Sequence, residues 1–246
     1  MIYLNNIDNM KFSPQFEDNF FDLVDADPPY YSGPEKRGFY GNGKFSNTKV
    51  RRRNYDVTDS WELPDKIWFK EIKRVSKNQI IWGANYFDFI GKPFKTPRGE
   101  EIHKFIKENP KGWIIWDKCN GGSMFNDYEL AWTSFDFPTT TYKFMWNGMN
   151  QGKSLNEGHI MQGNKKLNQI RIHPTEKPIM LYDWQFNKFT SPGQKVYSPF
   201  GGSFSDAISA MKFDFDFFAC EINEKIFKKS LERYKTIKSQ YKLKFI

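Results

Sequence analysis

The apolar positions of this chain fall into short continuous runs that alternate with stretches repeating at helical spacing. Phe20-Phe21-Asp22-Leu23-Val24-Asp25-Ala26 reads as a strand halted at Asp27-Pro28-Pro29-Tyr30, because two consecutive prolines cannot continue a hydrogen-bond ladder. Further strands are predicted at Gln79–Trp82, Trp113–Trp116, Glu129–Ser134, Lys195–Tyr197 and Phe215–Cys220. Ile67, Trp68, Ile72 and Val75 share one face of a predicted helix over 64–75. Others are predicted at 177–189, with Pro178 in the first turn, at about 205–211, and at 224 to about 238. Two stretches lack periodicity: 31–60, rich in Gly, Asn, Lys and Arg, and 143–172. No internal repeat is present. Strands alternating with helices predict an α/β fold, a largely parallel sheet wrapped by helices. Ligands of such sheets gather at the carboxyl ends of strands, and Asp27, Gly83, Gly201 and Glu221 all sit at predicted carboxyl ends.

Three of those ends carry candidate chemistry. The exocyclic amine of adenine or cytosine is a poor nucleophile, since its lone pair is delocalised into the ring. A carboxylate such as Asp27 and the carbonyl of Pro28, stiffened by Pro29, can accept hydrogen bonds from both amine hydrogens, while Tyr30 offers a ring face to a flipped base. The same four residues also suit an ordinary strand-ending turn with a solvated acid. Ser198-Pro199-Phe200-Gly201-Gly202-Ser203 lies between a strand and a helix, where glycines let backbone N–H groups approach a ligand. Glu221, which ends the next strand, suits a bidentate bond to ribose hydroxyls, and together these features favour an adenosine-containing cosubstrate over a structural turn. His173-Pro174-Thr175-Glu176-Lys177-Pro178 is dense in polar groups, with Thr175 a candidate helix N-cap.

Composition narrows the class. A chain of 246 residues suits one α/β domain, and a net charge of +8 allows a polyanionic partner without requiring one. Two cysteines far apart, Cys119 and Cys220, make no disulfide framework, and with three histidines they offer no metal-ligand cluster. Neither cysteine looks like an activated nucleophile, which argues against C5-cytosine chemistry. With no signal peptide or long apolar run in view, the expectation is a soluble cytoplasmic protein that does not enter a membrane.

In order and spacing these motifs resemble the beta class of DNA amino-methyltransferases, in which the catalytic half precedes the cosubstrate-binding half. Asp27-Pro28-Pro29-Tyr30 matches the catalytic motif, Phe200-Gly201-Gly202-Ser203 the cosubstrate loop, and His173 to Pro178 the segment before it. Smaller likenesses are Ile80-Ile81-Trp82-Gly83-Ala84-Asn85-Tyr86-Phe87, Trp116-Asp117-Lys118 and Glu129-Leu130-Ala131-Trp132-Thr133-Ser134. The resemblance covers about 2–30, 61–135 and 173–235. It implies a Rossmann-like methyltransferase fold: a mostly parallel seven-stranded sheet, helices on both faces, and a small inserted target-recognition region. The single domain would divide into a catalytic half to about 142, the insert at about 143–172, and an S-adenosylmethionine-binding half at about 173–240.

The implied activity is site-specific transfer of a methyl group from S-adenosylmethionine to N6 of adenine in DNA, without a metal. Asp as first motif residue favours adenine; N4 of cytosine and a catalytically degenerate DNA-binding relative are the alternatives. Asp27, Pro28, Pro29 and Tyr30 would be catalytic. Ser198, Phe200, Gly201, Gly202 and Ser203 would line the cosubstrate pocket with His173, Glu221 would hold the ribose, and Thr175 and Lys177 would reach the methionine end or organise the loop around it. Lys36, Arg37, Arg51, Arg52 and Arg53, with Lys165, Lys166 and Arg171 in the insert, would contact DNA. A homodimer, a cognate restriction endonuclease and a bacterial or phage origin fit the family. The sequence departs from the family pattern at Ser198, where an acid is usual, and at Phe204, where glycine is usual. Those departures predict weaker cosubstrate binding and a narrowed pocket.

Overall fold

The computed structural model describes residues 1–30, 63–121, 126–147, 150–172 and 175–243. Its ten strands are β1 (Ile2–Asn5), β2 (Phe21–Ala26), β3 (Ser76–Trp82), β4 (Trp113–Asp117), β5 (Tyr128–Thr133), β6 (Thr140–Lys143), β7 (Trp146–Asn147), β8 (Asn150–Gln151), β9 (Lys195–Ser198) and β10 (Asp216–Cys220). β7 and β8 pair only with each other. The other eight form one sheet in the order β1-β10-β9-β2-β3-β5-β4-β6. Every neighbouring pair is parallel except those of β5, which runs against both β3 and β4.

The expected α/β architecture is present, but the sheet has eight strands rather than seven. The two strands that the apolar pattern did not disclose, β1 and β6, are its edges. Each has four residues, too few to establish a period of two, and edge strands bury only part of their side chains.

Helices cover both faces. Leu23, Ile80, Trp82, Ile114 and Val196 point to one side and pack with α4 (Ile179–Phe189), α5 (Ser205–Ala210) and α6 (Glu224–Leu243). Phe21, Val24, Ile81, Ile115 and Tyr197 point to the other side, against α1 (Asn9–Phe12), α2 (Lys66–Val75) and α3 (Glu101–Glu108). Strand residues alternate between the two faces, as a period of two demands. The central strands read as continuous apolar runs because both faces are covered. Each fully buried side chain such as Trp82, Phe186 or Phe217 contributes roughly 1.5–3 kcal/mol through burial.

Helix starts follow local chemistry. Asp65 caps α2 by accepting the Trp68 amide at 2.8 Å. α4 starts later than the sequence suggested: Pro178, in extended conformation, occupies its N-cap, and Thr175 lies exposed outside the helix. Thr175 is therefore not the cap. Because the helix starts only after Pro178, Lys177 stands outside it and reaches Asp27 at the sheet's carboxyl edge.

The chain order places the C-terminal strands β9 and β10 between β1 and β2. That insertion brings the loop after β9 beside the turn after β2, although about 170 residues separate them. Among the described residues no helix is long and apolar enough to cross a membrane.

Candidate active site

Asp27 follows β2 directly, and its carboxylate forms an ion pair with Lys177 just ahead of α4. The Lys177 side chain is 2% exposed, so this cation is held almost entirely out of water. It also lies 3.4 Å from Glu129 of β5. Glu129 accepts a hydrogen bond from the Tyr30 hydroxyl at 3.0 Å and forms a second ion pair with Lys118, which follows β4. The ends of β2, β4 and β5 and the segment ahead of α4 thus supply an alternating chain of charges: Lys118, Glu129, Lys177, Asp27.

The electrostatics of the two acids differ. Burial pushes the Glu129 carboxyl up, but Lys118 and Lys177 outweigh it and hold the group down at about 2. Burial wins at Asp27, whose carboxyl is raised despite Lys177, with Glu129 adding to the rise. Lys177 is raised in turn, because the two carboxylates more than offset its desolvation. Glu129 is thus held as an anion, while burial leaves the Asp27 carboxyl above its ordinary value.

Tyr30 is held on three sides. Its ring stacks on Tyr86 at 5.5 Å between centroids, the Lys177 ammonium lies 5.6 Å from its centre, and its hydroxyl is anchored to Glu129. Beneath it lies Gly83, whose φ is +66° and where an added Cβ would stand 2.3 Å from the ring. Only glycine tolerates both that conformation and that approach. We expect Gly83→Ala to lower stability by about 1–2 kcal/mol and to reduce any activity that needs the Tyr30 ring in place. Urea unfolding read beside the turnover assay below checks both; unchanged turnover would show that the ring position is dispensable.

Phe200-Gly201-Gly202-Ser203 joins β9 to α5 as a loop fixed from several directions. The Gly201 amide donates to the Cys220 carbonyl at 2.7 Å, and the Gly202 amide donates to the Glu221 carboxylate at 2.9 Å. Helix α6 secures the carbonyls: Ser230 donates to Gly202 at 2.7 Å and Arg233 to Ser203 at 2.9 Å. The two glycine amides therefore hold the loop itself rather than stand open toward a ligand, as the sequence had suggested. Glu221 also accepts the Asn223 amide at 2.7 Å, and burial raises its carboxyl to about 7. Phe204 does not narrow the loop's open side. It adopts a left-handed conformation, φ +55°, and its fully buried ring packs edge-on against Phe227 and over Gly201.

Asp25 lies on the same face of β2 as Asp27. It is 2% exposed, and neither carboxyl oxygen has a hydrogen-bond partner. Burial raises the carboxyl to about 8, with Gln185 the polar side chain that most offsets it. The group is therefore neutral in the folded protein where it is ionised in the unfolded chain, so between about pH 4 and pH 8 rising pH favours unfolding through this residue. Asp25→Asn removes that slope, about 1.4 kcal/mol per pH unit. We expect the variant to gain stability over the wild type by a few kcal/mol between pH 5 and pH 8. Equal pH dependence in urea titrations of the two proteins would refute a neutral Asp25.

Of the residues singled out in the sequence, the structure gathers Asp27, Pro28, Pro29, Tyr30, Lys177, Ser198, Phe200, Gly201, Gly202, Ser203 and Glu221 along the carboxyl edge of β2, β9 and β10. Lys177 meets the Asp27 carboxylate directly. Lys165 and Lys166 are exposed in the insert, and Arg171 is half-buried with its guanidinium 5.8 Å from the Trp146 ring centre. Lys36, Arg37, Arg51, Arg52, Arg53 and His173 lie outside the described residues. Glu129, Lys118 and Arg233 carried no assigned role. The first two sit in segments that resemble the family, which was the available signal; Arg233 lies in a basic helix and gave none.

A mostly parallel sheet with helices on both faces, an Asp-Pro-Pro-Tyr turn beside a glycine loop and a strand-terminal acid make up a Rossmann-like fold of the kind found in methyltransferases. No family model matches the chain. It is 25% identical over 241 residues to the type II methyltransferase M.HinfI of Haemophilus influenzae, a match covering 88% of this chain and 64% of that protein. It is 26% identical over 217 residues to the type II methyltransferase M.HpaI of Haemophilus parainfluenzae, covering 79% and 62%. The chain thus spans less than two thirds of the length of these two relatives. The type II methyltransferase M2.DpnII of Streptococcus pneumoniae is 25% identical over 255 residues, covering 92% and 87%. Among solved structures, Thermus thermophilus TTHA0409 complexed with S-adenosyl-L-methionine superposes with a TM-score of 0.52 at 15% identity, covering 96% of this chain and 94% of that one. The cytosine-N4-specific PvuII DNA methyltransferase gives 0.52 at 16% identity, covering 98% and 91%. These likenesses share the fold. The chain is thus similar in sequence to type II DNA methyltransferases and shares its fold with solved DNA methyltransferases.

Proposed function

We propose that the protein methylates N6 of adenine at specific sites in DNA, with S-adenosylmethionine as methyl donor. The observation that carries this reading is the Asp27 carboxylate, adjacent to Pro28 and Tyr30 and ion-paired to the buried Lys177. When bound, S-adenosylmethionine supplies a methyl group made electrophilic by its positively charged sulfur. Asp27 accepts one hydrogen of the target amine and the Pro28 carbonyl the other, which returns lone-pair density to nitrogen. Pro29 limits the turn's freedom, so the two acceptors are positioned before the base arrives. Tyr30 stacks on the extruded base. As the N–C bond forms, the methyl–sulfur bond would break with its electron pair left on sulfur, giving S-adenosylhomocysteine, and the surplus amine proton passes to Asp27, whose raised carboxyl makes it a better acceptor than Glu129, and then to water.

The residues fit the donor. Glu221, following β10, would accept the ribose hydroxyls beside the Gly202 and Asn223 amides it already takes; Phe200 to Ser203 would form the adjoining wall; and the nearby acids would favour a cationic molecule. DNA is the proposed partner. The insert exposes Lys153, Lys165 and Lys166 together with Leu155, Ile160, Met161, Leu167 and Ile170, a basic surround suited to phosphates with apolar side chains suited to base edges. So short an insert suits a brief target, or recognition shared across a homodimer. A cognate restriction endonuclease and a cytoplasmic location complete the proposal.

The test is methyl transfer to unmodified DNA, followed by digestion to nucleosides and mass spectrometry. N6-methyladenine is the expected product. N4-methylcytosine would retain the mechanism and change the base, and folded protein that yields no methylated nucleoside would overturn the reading.

A further inference from the structure

Three carboxyls lie on one face of the sheet around β2 and β9, two of them, Asp25 and Asp206, almost fully buried, and few cations accompany them. Asp25 and Asp27 project from β2 to the same side. The parallel register pairs Val24 with Tyr197, so Ser198 at the end of β9 stands level with Asp25 and points to the same face. Asp206, in the first turn of α5, is 3% exposed and takes the Ser198 hydroxyl as its side-chain hydrogen-bond partner. Asp206 and Asp27 both disfavour ionisation of Asp25, and Asp27 also disfavours that of Asp206. Lys177 neutralises Asp27 directly. Arg233 is turned to Glu176, 3.1 Å away, and to the Ser203 carbonyl. Asp25 has no hydrogen-bond partner at either oxygen. Burying carboxyls with so few cations is costly unless a ligand brings positive charge.

We propose that Asp206 is the anionic partner of the α-ammonium group of S-adenosylmethionine, taking from α5 the place that Ser198 leaves without an acid at the end of β9. The inference rests on the methyl-donor reading above. The Ser198 hydroxyl donates to the Asp206 carboxylate and so ties it to the end of β9. Asp206 also accepts the Ala207 amide at 2.7 Å, an interaction that supports the helix terminus. A purely structural role of that kind is indifferent to the ligand's charge, which separates the two roles experimentally.

The experiment is calorimetric titration of the full-length protein with S-adenosylhomocysteine and with its deaminated analogue, which keeps the carboxylate and lacks the ammonium. Asp206→Asn preserves the hydrogen-bond acceptor at the helix terminus and removes the charge. The variant is expected to weaken S-adenosylhomocysteine binding on the order of 30-fold and to leave the analogue's affinity unchanged. Adding Ser198→Asp to it should restore part of the loss. Equal affinity of Asp206→Asn and wild type for S-adenosylhomocysteine would overturn the assignment and leave the methyl-donor reading standing. Equal losses for both ligands would overturn it in favour of a structural cap. A folded wild type that binds neither ligand would overturn the methyl-donor reading, and this assignment with it.

Discussion

Asp27→Ala will lower methyl transfer on the order of a thousandfold while leaving affinity for S-adenosylmethionine close to that of the wild type. The substitution removes the acceptor that draws one amine hydrogen and the group that first receives the surplus proton. It leaves the Phe200–Ser203 loop and Glu221 untouched, since their hydrogen bonds run to Cys220, Ser230, Arg233 and Asn223. Lys177 keeps Glu129 as a counter-ion at 3.4 Å, so the variant should fold. Asp27→Asn is the sharper variant. It retains a carbonyl acceptor but cannot take the proton and presents a donor on its other side. It too should fall steeply in single-turnover rate with little change in binding. Full activity in Asp27→Asn would sink the mechanism.

The second large effect is expected at Lys177. Lys177→Met preserves length and apolar volume but deprives both Asp27 and Glu129 of their shared cation. Removing one member of a buried charge network typically costs about 3–5 kcal/mol. The sign with pH follows from the directions of the shifts. In the wild type, Glu129 is held at about 2, below its ordinary value of 4.5, so its stabilising contribution is present above pH 4.5 and fades as pH falls toward 2. Without Lys177 both carboxyls rise and protonate more readily. The deficit of the variant should therefore be largest near pH 8 and shrink toward pH 5 in urea titrations. The acidic limb of its kcat/KM profile should move to higher pH, because Asp27 needs a higher pH to ionise. A variant with the wild-type profile and stability would show that the ion pair matters to neither property.

Both variants act on a contact that no sequence window contains. Asp27 and Lys177 are 150 residues apart, and each was marked for a different reason: Asp27 for the chemistry of its turn, Lys177 for its place in a polar segment ahead of a helix. Their union follows from β9 and β10 entering the sheet between β1 and β2, which sets the start of α4 over the end of β2. Glu129 is a similar case. It stands opposite Trp116 in the antiparallel pairing of β5 with β4, and only that reversed strand carries its carboxylate back to Tyr30 and Lys118. Phe204 shows the opposite error. Read along the chain it crowds a ligand loop, whereas its left-handed backbone turns the ring into the core.

By itself the sequence determined the central strands, the helices α2, α4, α5 and α6, and the turn and loop that carry the chemistry, because each depends on local causes; the short helices α1 and α3 left no such mark. Apolar runs report burial on both faces, consecutive prolines end a strand, and a strand-terminal acid needs no distant partner to be noticed. Tertiary structure alone decided the eighth strand, the start of α4, the Lys118–Glu129–Lys177–Asp27 charge chain, and the convergence of Asp25, Ser198 and Asp206. Those depend on strand order and register, which long-range packing fixes, and on burial, which turns ordinary carboxyls into groups near 6, 7 or 8 at Asp206, Glu221 and Asp25 only once water has been excluded.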